Sequence, residues 1–317
     1  MRVKVATYNI HKGVANQMFG ARRASTIHEL RSRMHELSAD LIFLQEVLGQ
    51  HDRHARRFEQ WPAERQDQFL ARTPAPARAN TLKQTFETAY QTAYGRNASY
   101  LHGHHGNALL SRFPILREDN RDVSDHALEK RGVLHCEVDI DGVAVHCFVV
   151  HFGLFARSRE RQADVLIDWV DRAVGKAAPL LIAGDFNDWR DRLSERFYEA
   201  LQVSEVFDVA CPPLSRKAAD YMRSRLGGMG LSGEGRTLPM PLPASRGIRP
   251  ARTFPSLVPW LRMDRIYQRG FHVHSAEVMR GPSWARLSDH APLVAELELV
   301  GATARAQLTG LQERGVR

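Results

Sequence analysis

Several short segments of the chain that read as strands end in a carboxylate, an amide or an imidazole. The polar residues at these ends are Asn9, Glu46, His151, Asp185, Asn187, Asp264, Asp289 and His290. Carboxylate and amide oxygens without a cluster of cysteines suit Mg²⁺ or Mn²⁺ better than zinc. Imidazoles beside such a metal suit proton transfer near neutral pH. These residue types therefore predict metal-dependent hydrolysis of a phosphate ester, in which an activated water attacks the phosphorus in line.

The elements that must position these residues are short strands separated by turns and helices. Residues 3–10 and 180–187 read as strands, and residues 41–47 form an apolar run that is too short for a helix. Helices are predicted from near residue 27, where apolar residues recur on one helical face, and from near Ser158. Such an alternation predicts an α/β fold in which two packed sheets carry helices on their outer sides.

The spacing along each strand predicts which residues share a face, because side chains two positions apart point to the same side. Asn9 is in step with Val5, and Glu46 is in step with Ile42 and Leu44. The same rule puts three further polar residues in step with apolar positions of their strands: His151, Asp185 and Asp289. The apolar residues of these strands are expected to line the inner faces of the packed sheets, so the agreement among separate strands predicts one polar site at one end of the sheets.

A hairpin is predicted around Asp141 and Gly142, which form the strongest two-residue turn signal. In its register Cys136 lies opposite Cys147 and the flanking pairs are all apolar, so this face is assigned to the core. Three cysteines in 317 residues are too few for a disulfide scaffold. We therefore expect a reducing, cytoplasmic setting. In it both cysteines are interpreted as small buried apolar side chains, with metal or redox use as the alternative.

The composition excludes several classes of protein. Hydrophobic residues make up 43% of the chain and charged residues 25%, which is ordinary for a globular protein with a sizeable core. No apolar run is long enough to span a membrane. The first residues do not have the apolar run of a secretory signal, so we do not expect one. We expect one catalytic domain over residues 1–300, followed by a C-terminal tail at 301–317.

Most of the positive charge of the chain is concentrated in residues 212–252. The net charge is +8, and this segment holds eight Lys and Arg residues against two acidic ones, together with six prolines and six glycines. Its lack of periodicity predicts a long mobile insertion. Two interpretations stay open. The segment is either an arm that gathers a polyanion, such as nucleic acid or an anionic membrane surface, or a solvated loop without a partner.

Five short motifs stand at the ends of the predicted strands. They are Thr-Tyr-Asn-Ile-His at 7–11, Leu-Gln-Glu-Val at 44–47, Gly-Asp-Phe-Asn at 184–187, Met-Asp-Arg-Ile-Tyr at 263–267 and Ser-Asp-His-Ala-Pro at 288–292. In this order they resemble the motif series of the endonuclease/exonuclease/phosphatase superfamily, over about residues 3–299. The stretches at 103–107, 111–114 and 185–190 are similar to its bacterial YbhP-like group, which has no agreed substrate. The resemblance implies a DNase I-like fold, a four-layered α/β sandwich with two packed mixed sheets flanked by helices.

The resemblance also implies how these residues divide the chemistry. Glu46 corresponds to the family's main metal-binding glutamate, and Asn9 and Asp289 assist it. The expected metal is Mg²⁺, with Mn²⁺ as an alternative. His290 corresponds to the histidine that acts as a general base or as a phosphate contact, and Asp264 corresponds to the aspartate that orients it.

Three further residues are implied to act on the ester itself. Asp185 and Asn187 correspond to the pair that handles the nucleophile or leaving group and the phosphate oxygens. His151 corresponds to the second histidine of the DNase I-like and sphingomyelinase-like branches, where abasic-site endonucleases usually have tyrosine. The segment around Asp264 also lacks the Trp-Cys-Asp-Arg pattern of inositol polyphosphate 5-phosphatases. Abasic-site repair and inositol polyphosphate hydrolysis are therefore disfavoured.

Other polar and aromatic residues near the motifs carry two interpretations each. Asn107 either reaches phosphate or forms a turn. Arg131 either reaches phosphate or is a solvated residue at the end of a strand. His104 and His105 either line the site or are simply exposed in a glycine-rich loop. Three tryptophans are predicted to pack in the core, with stacking on a base or contact with lipid as the alternative: Trp189, Trp260 and Trp284.

Three functions are consistent with these observations. The leading hypothesis is a metal-dependent phosphodiesterase that acts on nucleic acid as an endonuclease or exonuclease. The second keeps the chemistry but moves it to a phospholipid or its head group, with residues 212–252 on an anionic membrane surface. The third is an inactive binding scaffold, which the complete set of polar residues disfavours. The sequence indicates no obligate protein partner.

Overall fold

The computed structural model describes residues 1–15, 24–74, 89–126, 129–210 and 251–301. Nearly all of the predicted basic insertion at 212–252 and of the C-terminal tail at 301–317 lies outside these described residues, so both stay predictions. No helix in the described ranges is long and apolar enough to cross a membrane.

The described residues form twelve strands and seven α-helices, with a short 3-10 turn after the first strand. The strands, β1 to β12, are Arg2–Asn9, Leu41–His51, Gln91–Tyr100, Gly103–Ser111, Ile115–Asp122, Gly132–Ile140, Val143–His151, Leu180–Asp185, Ser204–Glu205, Asp264–Arg269, Phe271–Val278 and Leu293–Leu299. The helices, α1 to α7, are Ile27–Glu36, Asp52–Arg57, Gln66–Ala71, Ala156–Ala173, Ser194–Leu201, Val206–Ala210 and Pro282–Ala285. The 3-10 turn spans His11–Gly13.

The strands form two six-stranded sheets, each with one parallel pair. The first sheet has the order β11-β12-β1-β2-β4-β3, and β1 runs parallel to β2. The second has the order β5-β6-β7-β8-β10-β9, and β7 runs parallel to β8. The other neighbouring strands are antiparallel. One end of the sandwich therefore collects the last residues of β1, β2, β7 and β8 and the first residues of β4, β6, β10 and β12.

Three hydrophobic clusters hold the layers together. The central cluster lies between the sheets and includes Val5, Phe43, Val149 and Leu181. A second cluster packs α1 and α3 against the outer face of the first sheet, and a third packs α4 and α5 against the outer face of the second. Each large apolar side chain buried in this way contributes about 1.5–3 kcal/mol to folding. The order helix, sheet, sheet, helix confirms the predicted four-layered α/β sandwich.

The hairpin between β6 and β7 has the predicted register. Cys136 lies opposite Cys147, and the turn residues Asp141 and Gly142 have φ angles of 53° and 75°. Positive φ at both central positions is typical of the tight turn that this residue pair predicts. Both cysteines are buried free thiols, and burial raises the pKa of each. Their packing agrees with the interpretation as small apolar side chains.

The second strand departs from the predicted alternation just before its polar end. Ile42 and Leu44 face the outer helices and not the space between the sheets, so the predicted facing of this strand is wrong. Between Leu44 and Val47 the pairing with β4 contains one extra residue, and Glu46 has a φ of 57°. Leu44 and Val47 both pack outward although they are three positions apart, which is the effect of a β-bulge. The bulge turns Glu46 to the inner side, where the other polar ends lie.

Candidate active site

The predicted polar residues meet at one end of the sandwich, where Asp185 is the centre of a hydrogen-bond network. Asn9 Nδ2 donates to Asp185 Oδ2 over 3.1 Å, which joins the ends of β1 and β8 across the two sheets. The backbone N–H of Asn187 donates to Asp185 Oδ1 at 2.9 Å, and its side-chain amide donates to the Phe152 carbonyl, also at 2.9 Å. Because Asn9, Asp185 and Asn187 are buried, these bonds hold the carboxylate in one orientation.

His290 and Asp264 form a buried ion pair beside Asp185. His290 Nδ1 donates to Asp264 Oδ2 over 2.8 Å, and His290 Nε2 lies 3.6 Å from Asp185 Oδ2. Burial alone would lower the pKa of His290, but the two carboxylates, Asp264 first, raise it to about 10. The ring is therefore positively charged at neutral pH. Asp264 is itself held by Thr253, whose hydroxyl oxygen accepts the backbone N–H of Asp264 at 3.3 Å.

A second histidine approaches the same carboxylate from the end of β7. His151 Nε2 lies 3.6 Å from Asp185 Oδ2. Burial, together with the positive charge of Arg131, holds the pKa of His151 well below its usual value, so this ring is neutral. Burial raises the pKa of Asp185 to about 6, although the charge of His290 opposes the rise. One charged and one neutral imidazole thus face a carboxylate that can exchange a proton near neutral pH.

Two further carboxylates, Glu46 and Asp289, lie beside Lys12 and His11 of the 3-10 turn. Lys12 Nζ lies 3.6 Å from Glu46 Oε2, and His11 Nδ1 lies 3.4 Å from Asp289 Oδ1. Burial alone would raise the pKa of Glu46, but Lys12 and then His11 hold it below its ordinary value. Glu46 is therefore ionised in the neutral range. Neither Lys12 nor His11 is identified from the sequence, although His11 ends the first motif.

Four of the nine non-glycine residues with left-handed backbone in the described part of the chain lie at this site. His11, Lys12, Glu46 and Asn187 have φ angles of 44°, 61°, 57° and 50°. Residues other than glycine rarely adopt such angles, and each instance costs about 1–3 kcal/mol. Because the four residues come from three separate segments and lie around one site, this strain serves to aim their side chains at a common point.

One group of side chains has the spacing of a metal site but not the charge. One donor atom from each of Asp185, Asp264 and His290 lies within 4.8 Å of the others. The Nδ1 atom of His290, however, is already hydrogen-bonded to Asp264, and the raised pKa of the ring makes it a cation. A positive imidazole repels a metal ion, so this group is better suited to contact an anion such as phosphate.

The predicted metal ligands Asn9, Glu46 and Asp289 have the donor chemistry that Mg²⁺ requires. All three offer oxygen atoms, and two of them are carboxylates. Glu46 is ionised and already lies against an ammonium group, that of Lys12. The Asn9 oxygen accepts the backbone N–H of His11 at 3.1 Å and retains a second lone pair. The residues present therefore fit a hard divalent cation.

Asn107 and Arg131, which had two interpretations each, serve different purposes. The side-chain amide of Asn107 donates to the carbonyls of Gly132 and Val149 at 2.9 and 3.2 Å. It is buried and ties the two sheets together, so it is neither an exposed turn residue nor a free phosphate contact. Arg131 Nε donates to the Phe152 carbonyl at 3.1 Å, which fixes its charge near His151.

The two adjacent histidines of β4 point to opposite faces of the strand. Burial and the charge of Lys12 lower the pKa of His105 to about 4, while the charge of Glu46 opposes the shift. His105 therefore lines the site as a neutral ring close to Glu46. His104 Nδ1 instead forms a 2.9 Å hydrogen bond with the Tyr94 hydroxyl and takes no part in the site.

The three tryptophans near the motifs have different surroundings. Trp284 packs edge-on against Tyr8 with ring centroids 5.9 Å apart, which confirms its predicted place in the core. Trp189 is half-buried, and the Arg159 guanidinium lies 4.7 Å from its ring centroid. Trp260 is 62% exposed, so its predicted core position is wrong. It lies near the tip of a loop, where no layer of the sandwich can cover it.

Comparison with known proteins agrees with the motifs and the fold. A model of the Endonuclease/Exonuclease/phosphatase family matches residues 6–290. The uncharacterized protein YbhP of Escherichia coli (strain K12) is 37% identical over 298 residues, which cover 93% of this chain and 96% of YbhP.

Two solved structures illustrate the likeness in fold. D. rerio TDP2 complexed with single strand DNA product is 15% identical with a TM-score of 0.56, covering 94% of this chain and 99% of TDP2. The Bacteroides thetaiotaomicron mannosyl-6-phosphatase Bt3783 is 17% identical with a TM-score of 0.60, covering 93% of this chain and 99% of Bt3783. At these identities the two structures establish the DNase I-like fold alone. With the family model and YbhP, they lead to one assignment: the chain belongs to the endonuclease/exonuclease/phosphatase family.

Proposed function

We propose that the protein is a metal-dependent phosphoesterase that hydrolyses phosphodiester bonds. The observation that carries this proposal is the buried pair of His290 and Asp264 beside Asp185, in a site that also holds Glu46 and Asp289. In-line attack of water on a phosphate ester is accelerated by a cationic contact for phosphate oxygens, a proton acceptor and a metal. The site supplies the first two groups, and its remaining carboxylates suit the third.

Glu46, Asn9 and Asp289 would hold the metal, which we propose to be Mg²⁺ or Mn²⁺. A metal bound there would supply Lewis-acid polarisation of a phosphate oxygen. Glu46 needs no deprotonation before it binds a cation, because Lys12 and His11 already hold its pKa low.

His290 and Asp185 would divide the remaining chemistry. With a pKa of about 10, His290 would contact a phosphate oxygen as a cation and would be a poor proton acceptor. Asp185, with a pKa of about 6, is better placed to take a proton from water and to return it to a leaving group. Asn187 would orient Asp185 through its backbone N–H, and the neutral ring of His151 would lie beside the same carboxylate, 3.6 Å from its Oδ2 atom.

Nucleic acid is the substrate class that the sequence favours. Support comes from membership of a family whose name includes nucleases and from D. rerio TDP2, which is complexed with a single strand DNA product. The same fold also occurs in a mannosyl-6-phosphatase, so the fold alone does not determine the substrate. The basic insertion that motivates this candidate lies almost entirely outside the described residues.

A phospholipid or its head group is the second candidate, and one feature of the structure favours it. Loops around the site expose aliphatic side chains, among them Leu101, Leu154 and Val258. Aliphatic side chains do not stack on bases, whereas they readily enter the apolar part of a bilayer. These side chains support the lipid candidate more than the nucleic-acid candidate.

Two assays test the proposal and separate the substrates. Nicking of supercoiled plasmid in Mg²⁺ tests nucleic acid, and release of a phosphorylated head group from phosphatidylglycerol vesicles tests lipid. EDTA and His290→Ala are paired controls for both assays, and His274→Ala, which changes an exposed histidine on β11, is the matched variant. We expect EDTA to stop hydrolysis, His290→Ala to slow it about 10²–10⁴-fold, and His274→Ala to have no effect.

The remaining outcomes count against the proposal in different ways. Hydrolysis that survives in His290→Ala would reject the assigned site. A protein that cleaves neither substrate nor a small soluble phosphodiester, with or without added Mg²⁺ or Mn²⁺, would be the inactive scaffold.

A further inference from the structure

The large apolar side chains that the structure exposes are concentrated around the active site. Seven of the eleven exposed large apolar side chains among the described residues lie on loops or strand ends at that end of the sandwich: Tyr100, Leu101, Leu154, Phe155, Leu257, Val258 and Trp260. We define these seven as the apolar rim. Single exposed apolar residues are ordinary, but a group of them around one site marks a contact surface.

The loop that precedes β10 holds three rim residues beside the His290 ring. The Phe254 ring centroid lies 5.0 Å from that of His290, and the Ser256 N–H donates to the Asp289 carbonyl at 2.7 Å. The chain then turns back, and the N–H of Trp260 donates to the Phe254 carbonyl at 3.0 Å. The base of this loop is therefore fixed to the site while its tip is exposed.

The loops that follow β7 and β8 extend the rim on a second side of the site. Leu154 and Phe155 come shortly after His151, and Phe155 is 64% exposed. Trp189 comes two residues after Asn187, and it lines a shallow apolar groove with Leu154 and Phe155.

The turn between β3 and β4 completes the rim near the proposed metal ligands. The Tyr100 ring centroid lies 5.7 Å from that of His105, and the partial burial of Tyr100 together with the charge of Glu46 raises its pKa to about 12. Leu101 follows at the tip and is 91% exposed.

Exposed arginines border the rim on two sides. Arg53 and Arg57 lie on α2, whose first N–H, that of Asp52, donates to the carbonyl of His102 beside Leu101 at 3.0 Å. Three more exposed arginines lie on the second side: Arg157 follows Phe155, and Arg190 and Arg192 follow Trp189 along the same groove. Guanidinium groups at this position match phosphates in the plane of a membrane surface.

We propose that this end of the sandwich docks on an anionic phospholipid bilayer. The rim side chains enter the boundary between head groups and acyl chains, and the bordering arginines contact lipid phosphates. Tyr100 and Trp260 suit the head-group level, where aromatic side chains with a polar edge are favoured.

A bilayer explains the rim better than nucleic acid or a folded partner. Single-stranded nucleic acid binds to aromatic platforms, on which the aliphatic members of the rim would gain nothing. A protein that covered loops on all these sides would close the site, whereas a bilayer presents its own phosphodiesters to it. The proposed docking is inferred from the exposed loops and their bordering arginines, and it does not depend on which ester the site hydrolyses.

Sedimentation with sucrose-loaded vesicles tests the docking in the full chain. Binding is measured in EDTA, so that hydrolysis does not contribute, with vesicles of phosphatidylcholine alone or mixed with phosphatidylglycerol. The rim variant combines Leu257→Ser, Val258→Ser and Trp260→Ser. The matched control combines Leu116→Ser and Val165→Ser, which change exposed apolar residues away from the site.

We expect the wild-type protein to bind the phosphatidylglycerol vesicles more tightly than the phosphatidylcholine vesicles. The rim variant should bind at least about tenfold more weakly, because removing even one inserted side chain of this size lowers the partition constant by about that factor. The control should bind like the wild type. Unfolding temperatures of both variants verify that they are folded.

Three results would overturn the proposal. They are absence of binding to anionic vesicles, equal binding by the rim variant and the wild type, and equal loss in the rim variant and the control. Titration of a single-stranded oligonucleotide against the same proteins tests whether the rim binds nucleic acid and not a membrane. Loss of oligonucleotide binding with retained vesicle binding in the rim variant would assign the rim to nucleic acid.

Discussion

Replacing Asp264 by asparagine should lower the stability of the metal-free protein and flatten its dependence on pH. His290 Nδ1 lies 2.8 Å from Asp264 Oδ2, and both residues are buried, so a carboxylate stabilises the positive ring at contact distance. Asparagine has almost the same shape and can still accept the N–H, but it carries no charge. The substitution therefore removes the charge interaction and retains the packing.

The pKa of His290 gives the size and the sign of the effect. It rises from 6.5 to about 10 in the folded protein, which corresponds to at most about 5 kcal/mol. A histidine with a raised pKa contributes stability that is complete below pH 6.5 and is lost as the pH rises through 10. Because Asp185 also raises this pKa, we assign about 1.5–3 kcal/mol to Asp264, the usual range for a hydrogen bond to a charged group.

Urea unfolding in EDTA, at pH values from 6.5 to 10, measures this contribution. The wild-type free energy of unfolding should fall across that range, and Asp264→Asn should begin lower and fall less. Asp119→Asn is the matched control, because its exposed carboxylate pairs with Arg121 at 3.3 Å on the surface, and such a pair contributes at most about 1 kcal/mol. Parallel curves for Asp264→Asn and the wild type would refute the reasoning, since they would show that Asp264 does not raise the pKa of His290.

Two further changes test the backbone of the site and its proposed metal ligand. Gly184→Ala should cost about 3 kcal/mol or more in urea unfolding, because its φ is 151° and a Cβ there would lie 1.9 Å from the Val150 carbonyl oxygen. Gly142→Ala, also at positive φ but with nothing within 4 Å, should cost only about 1–2 kcal/mol, and equal losses would contradict the clash. Glu46→Gln should raise the Mg²⁺ concentration for half-maximal hydrolysis at least about tenfold, while KM at saturating Mg²⁺ changes little. A variant with the wild-type Mg²⁺ dependence would show that Glu46 is not a ligand.

The regular part of the fold could be predicted from the sequence because strands alternate with a period of two. The facing of Asn9, His151 and Asp185 follows from apolar residues two positions apart, and the structure brings these three side chains together. The register opposite Cys136 could be predicted for a similar reason, because the Asp-Gly turn leaves only one pairing that keeps the apolar residues on one face.

Glu46 shows where the alternation ceases to predict the site. Its motif identifies the residue, but regular alternation from Leu44 would turn it toward the outer helices. The left-handed backbone of Glu46 cannot be predicted from the spacing of apolar residues, because contacts made elsewhere in the fold compensate its strain. Lys12 and His11 are missed for a related reason: their effect on the pKa of Glu46 depends on distance, and no spacing in the sequence measures it.

The active-site end of the sandwich reverses the ordinary distribution of side chains. Charged His290 is buried there, while Leu101, Phe155 and Trp260 are exposed, and neither placement benefits the isolated chain. The buried positive ring of His290 can bind the negative charge of a phosphate, which accounts for the burial of a charged side chain. The exposed apolar loops are stabilised when their side chains enter the apolar part of a bilayer at the same end of the sandwich. A membrane phospholipid is the class of phosphodiester that brings both at once, so vesicles are the first substrate to test.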